Sequence, residues 1–123
     1  MKQIAEDKKR EYRISMEAIV DAYGPEEQAL GWYYYLEDKI TLPFTARCSE
    51  ERQISPLKKS EQVTVTGMSP EDDCMREIFV QIEWQGRSLG IPLSQIESMK
   101  ADKMTKEAIA DWHYWVGRGY QLC

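Results

Sequence analysis

The chain has 123 residues, 42% hydrophobic and 30% charged, the make-up of one ordinary globular domain that can bury a core without a disulfide or metal staple. Its 21 acidic residues outnumber 16 basic ones for a net charge of -5, which argues against gripping a nucleic-acid backbone through clustered cations. No run nears the roughly 18 apolar residues of a membrane span, and the opening MKQIAEDKKR lacks the apolar segment of an export signal, so a cytoplasmic protein without membrane attachment is expected.

In chain order, Tyr12, Met16, Ile19, Val20 and Tyr23 recur at helical spacing and predict an amphipathic helix over 10–23. Gly24 ends it. Pro25 suits the first turn of a second helix and Glu26 and Glu27 suit its positive end, with Ala29, Tyr33 and Leu36 inward and an end near Glu37. Strand signals follow at Leu42–Cys48, Gln62–Met68 and Glu77–Trp84, and Gln85-Gly86-Arg87 makes a short hairpin into SLGIPL. In the third strand Ile78, Val80, Ile82 and Trp84 share the core face, opposite Glu77, Phe79, Gln81 and Glu83. Pro92-Leu93-Ser94 reads as a one-turn break before a last strand. After Lys100 a helix returns, with Met104, Ala108, Trp112 and Trp115 in one stripe. The expected fold is α+β, a single domain over 1–123: a small SH3-like antiparallel β-barrel with N-terminal helices and a C-terminal helix packed around it.

Little in the chain points to catalysis, and no enzyme is expected. The single histidine, His113, sits in WHYW and reads as a structural imidazole, and no nucleophile pair or phosphate-cradling glycine loop is present. The aromatic groups Trp32–Tyr35 and Trp112–Trp115 read as core. Cys48, Cys74 and Cys123, odd in number and without a CxxC pair, read as free thiols. Carboxylate placement is more distinctive. Glu37-Asp38 falls at a helix C-terminus, where the dipole disfavours each anion by a few tenths to about 1 kcal/mol. Glu71-Asp72-Asp73 lies in a turn and Glu77 and Glu83 share a strand face. Converging carboxylates suit a hard divalent cation such as calcium, which takes oxygen ligands. A solvated acidic face is the competing reading, and Lys39 is an alternative counter-charge for Glu37-Asp38. Ser69-Pro70-Glu71-Asp72 also matches a helix start with Ser69 as cap and Asp72 closing a capping box. An EF-hand loop does not fit: counted from Asp72, Glu83 falls at the twelfth position, but Cys74 and Arg76 replace the oxygen ligands and Glu77 the glycine.

The run VDAYGPEEQALGWYYYLEDKITLPFTARC, then SPL, VTVTGM, EIFVQIEW, LGIPLSQIE and DWHYWVGRGY, resembles the cyanobacterial calcium-binding protein family, CcbP, over residues 20–122. The resemblance implies an intracellular non-EF-hand protein that binds Ca2+ through surface carboxylates as a buffer or sensor. It points first to Asp38 within YYYLED and to Glu77 at the head of EIFV, and by proximity to Thr41, Glu37, Asp72 and Asp73. An SH3-like interaction module without metal is the alternative, favoured if Tyr34, Tyr35 or Trp84 is exposed. Lys8-Lys9-Arg10 in a fraying terminus would offer a regulatory protease a cleavage point near Arg10.

Overall fold

The computed structural model of the protein describes residues 5–122 and keeps the predicted order of elements, departing from it at the first helix, after Ser69 and at the closure of the sheet. The first helix, α1 (Lys8–Arg13), is capped by Asp7, whose carboxylate accepts from the Arg10 N–H at 3.0 Å, and passes into a wider π turn over Ile14–Ala18. Its buried face is Ile14 and Ala18; Tyr12, Met16, Val20 and Tyr23, expected inward, are exposed. The reason lies opposite. Arg10 and Arg13 reach the buried Asp111, which turns Ile14 and Ala18 toward the core and leaves Tyr12, Met16, Val20 and Tyr23 outside. The segment around Arg10 is a helix capped by Asp7, with Arg10 ion-paired to Asp111.

The second helix, α2 (Pro25–Lys39), starts at Pro25 as predicted and runs two residues further than expected, with Ala29, Trp32, Tyr33, Tyr35 and Leu36 buried. Five strands follow: β1 (Phe44–Cys48), β2 (Gln62–Met68), β3 (Phe79–Trp84), β4 (Arg87–Pro92) and β5 (Ile96–Lys100). They form one antiparallel sheet in the order β4-β3-β2-β1-β5. Trp84 pairs with Arg87 across a two-residue turn in which Gln85 and Gly86 both have positive φ, the geometry that follows the twist of a hairpin. The sheet is not closed into the expected barrel. Among the described residues β4 and β5 share no ladder; a 3-10 turn, Leu93–Gln95, carries the chain from one edge to the other, and α3 (Lys103–Gly117) packs on that turn.

In α3 the buried residues are Thr105, Ala108, Ile109, Asp111, Trp112, Tyr114 and Trp115, while Met104 is exposed and Thr105 takes its expected place. Trp32 of α2 meets Trp112 edge-on at 5.1 Å and Trp115 at 5.5 Å, forming the expected aromatic seam. His113 is structural in its contacts: its Nε2–H donates to the Leu93 carbonyl at 3.2 Å. Cys48 and Cys74 are buried free thiols, and Cys123 lies outside the described residues. No helix of the described residues is long and apolar enough to cross a membrane.

Candidate metal centre

The inward packing of α2 leaves Tyr34, Glu37 and Asp38 on its outer side, all exposed. Because the helix continues to Lys39, both carboxylates sit in its last turn, where the unpaired carbonyls already concentrate negative charge. Lys39 does not neutralise them. Its ammonium reaches back to Glu17 at 3.7 Å and lies 6.0 Å from the centre of the Tyr35 ring. Neither Glu37 nor Asp38 makes a side-chain hydrogen bond or ion pair with another described residue.

A second acidic segment meets this helix end. After β2 a 3-10 turn, Glu71–Cys74, packs against α2. No capping box forms, because the Ser69 hydroxyl is buried and accepts from Gln81 Nε2 at 2.9 Å. Two successive tyrosines tie the segments together: Tyr33 O–H donates to the Ser69 carbonyl at 2.7 Å, and Tyr34 O–H donates to the Glu71 carboxylate. The bond to Glu71 is the main cause of a raised Tyr34 pKa, and burial followed by the charge of Glu37 raises that of Tyr33. Glu37 and Glu71 thus act on the same pair of phenols. Asp72 and Asp73 stand exposed on the turn, their carboxylates without a hydrogen-bond or ion-pair partner among the described residues, and Asp38 faces the groove between α2 and the π turn, near Glu17.

The other two predicted ligands are already engaged. Thr41 donates its N–H to Thr105 Oγ1 at 2.8 Å, and its hydroxyl is the main cause that holds Asp102 below the usual carboxylate range. Glu77 lies apart, in a cleft with Ser49, Glu50, Arg52 and Ser94. There Arg52 Nη1 donates to Glu77 at 2.5 Å and the Ser94 hydroxyl donates to the same oxygen at 3.0 Å. Sequence reasoning saw Glu71 only as part of an acidic run and missed Glu17, Glu50 and Arg52. None has a periodic signal, since each is placed by a tertiary contact.

Among the described residues no three acidic, histidine or cysteine side chains form a ready-made metal cage. The donor chemistry nevertheless fits calcium. The groups without partners at the α2 end and the 3-10 turn are carboxylates, while the Cys74 thiol is buried and in contact with the Phe79 N–H. An oxygen-only set selects a hard cation over zinc.

Residues 12–116 match the CcbP family, described as calcium binding. Two solved structures superpose on nearly the whole chain. Anabaena CcbP is 40% identical, covers 98% of either chain and has a TM-score of 0.85. A calcium binding protein in its calcium-binding form is likewise 40% identical, covers 98% of either chain and has a TM-score of 0.84. Among curated protein sequences none matches.

Proposed function

Since the chain belongs to the CcbP calcium-binding family, we propose that it is an intracellular, cytoplasmic calcium buffer or sensor that binds Ca2+ through surface carboxylates and not through an EF-hand. The observation that carries this reading is the Tyr34–Glu71 hydrogen bond, which holds two acidic segments side by side while leaving Glu37, Asp38, Asp72 and Asp73 without partners. Those four are the proposed donors at this face, and Glu77 with Glu50 the proposed donors at the second cleft. Thr41 is left out as a hydroxyl ligand because Asp102 engages it. The segment from Asp72 to Glu83 runs from a 3-10 turn into a strand, which supports binding without a helix-loop-helix.

When bound, calcium supplies the positive charge that the last turn of α2 lacks. The chain's own part is to tie the two acidic segments side by side and to leave their carboxylates unpaired among the described residues, at the cost of an unfavourable helix dipole for Glu37 and Asp38. The family is a calcium-binding one and not an enzyme family. The interaction-module alternative loses support, because Tyr35 is buried, Trp84 is half-buried, and the hydroxyl of the exposed Tyr34 is committed to Glu71.

The test is calorimetric titration of chelator-stripped protein with calcium in millimolar magnesium, beside Asp38→Ala. Saturable calcium heat on the order of 10⁻⁷–10⁻⁵ M, the range of intracellular sensors, weakened or lost in the variant, is the expected result. Heat no greater than that of magnesium would leave the acidic clusters as solvated surface.

A further inference from the structure

We propose that Arg52 is a built-in competitor for the cation site at Glu77: its guanidinium occupies the carboxylate, and a divalent cation binds there by displacing it. The proposal rests on the calcium reading above and adds a regulator to one of its sites. Arg52 comes from the connection between β1 and β2, residues 49–61, whereas Glu77 is fixed at the entry to β3. Its Nη1 is 2.5 Å from Glu77 Oε2 and 3.4 Å from Ser94 Oγ, while Ser94 itself donates to the same Glu77 oxygen. The Arg52 and Glu77 side chains keep 32% and 24% of their surface in solvent, so the pair is open to exchange and not sealed in the core. The cleft around it, about 470 Å³, has room for a hydrated ion beside Glu50 and Glu77.

Exclusion follows from charge. A divalent ion is held by carboxylate oxygens at roughly 2.3–2.6 Å, and a guanidinium bonded to the same carboxylate would place a like charge within a few ångströms of it. Glu50 adds to the hold on Arg52: with the bond to Glu77, its charge keeps the guanidinium pKa above its ordinary value. The pair therefore weakens calcium at this cleft relative to the α2 face. It also converts binding into release of a side chain on a long connection, a change that a partner or a protease could read.

Two measurements test this. In calorimetry Arg52→Gln, which keeps a hydrogen-bonding side chain without the charge, should bind calcium at one site roughly threefold to tenfold more tightly, as expected for loss of one partly exposed ion pair. Adding Glu77→Gln to it should abolish the gain. In wild-type protein, trypsin cleavage after Arg52, read by mass spectrometry as a ratio to cleavage after Lys58 on the same connection, should rise severalfold on calcium addition. Unchanged or weaker calcium affinity in Arg52→Gln, or an unchanged cleavage ratio at saturating calcium, would overturn the proposal while calcium binding stands. No calcium heat in wild type or variant would overturn both.

Discussion

Asp111 is the residue on which the N-terminal half of the molecule turns. It is fully buried in α3 and accepts from Arg10 Nη1 at 2.7 Å, from Arg13 Nε and Nη2 at 3.0 and 2.6 Å, and from the Tyr35 hydroxyl at 2.8 Å. One carboxylate thus joins α1, α2 and α3. Removing one partner of a buried ion pair costs about 3–5 kcal/mol, and the low end applies here because each arginine keeps about a quarter of its surface in water. Asp111→Asn should therefore lose about 3 kcal/mol in urea denaturation. It should also free α1, so that trypsin cuts after Arg10 in the variant and slowly in wild type. Equal cleavage rates would mean that α1 opens regardless of this contact, and a regulatory protease would need no prior switch. The sequence hid the arrangement because a lone aspartate among WHYW aromatics and two arginines a hundred residues away share no pattern.

At the scale of elements, α2 carries both the core seam and the proposed site, and it is held at two points. At its middle Gly31 lies against the π turn, where an added Cβ would sit 2.3 Å from the Ala18 carbonyl oxygen. Gly31→Ala gains about 1 kcal/mol in helix propensity, but driving a methyl into backbone costs about 1–3 kcal/mol or more. Net destabilisation is expected in thermal unfolding; a stabilised variant would show that the crossing can open. At its end Thr41 links α2 to Asp102, which caps α3 by accepting the Thr105 N–H at 2.8 Å. These bonds hold the Asp102 pKa below its ordinary value, so their contribution is present above about pH 4 and is lost as the pH falls through the folded-state value. Asp102→Ala should cost stability at pH 7 and progressively less below pH 4; a cost independent of pH would mean that the charge is not what caps the helix. The strands were legible because β-branched alternation survives burial on one face, and Pro25 marked α2. The inward face of α1, the lost capping box at Ser69 and the open seam between β4 and β5 were not, since each is decided by a partner distant in sequence. The same holds for the proposed site: Glu37, Asp38, Asp72 and Asp73 could be picked out as carboxylates, but the approach of the two segments that carry them, tied by Tyr34 and Glu71, depends on how α2 packs, and the cover on Glu77 comes from a connection without periodicity.

For the whole molecule, a net charge of -5 means that any cation relieves some repulsion, so a rise in stability with calcium is by itself weak support for a site. The distinction is one of mass action against screening. A specific site adds RT ln(1 + [L]/Kd), about 2.7 kcal/mol at a hundredfold excess over Kd. For a domain of this size that corresponds to a Tm increase of roughly 10 °C, reached at micromolar free calcium if the site is of sensor grade. Screening depends on ionic strength and not on the identity of the ion, and it grows only as the Debye length shrinks from about 10 Å at 0.1 M salt. Melting chelator-stripped protein in calcium and in magnesium at matched ionic strength separates the two. The expected result is a Tm that climbs with the logarithm of calcium concentration, is nearly flat in magnesium, and loses most of its climb in Asp38→Ala. Parallel curves for both ions would reduce the four unpartnered carboxylates at the α2 face to a solubility device. A calcium-specific climb that survives Asp38→Ala would move the dominant site away from that face and toward the cleft at Glu77, where Arg52→Gln should then shift the climb to lower calcium concentration.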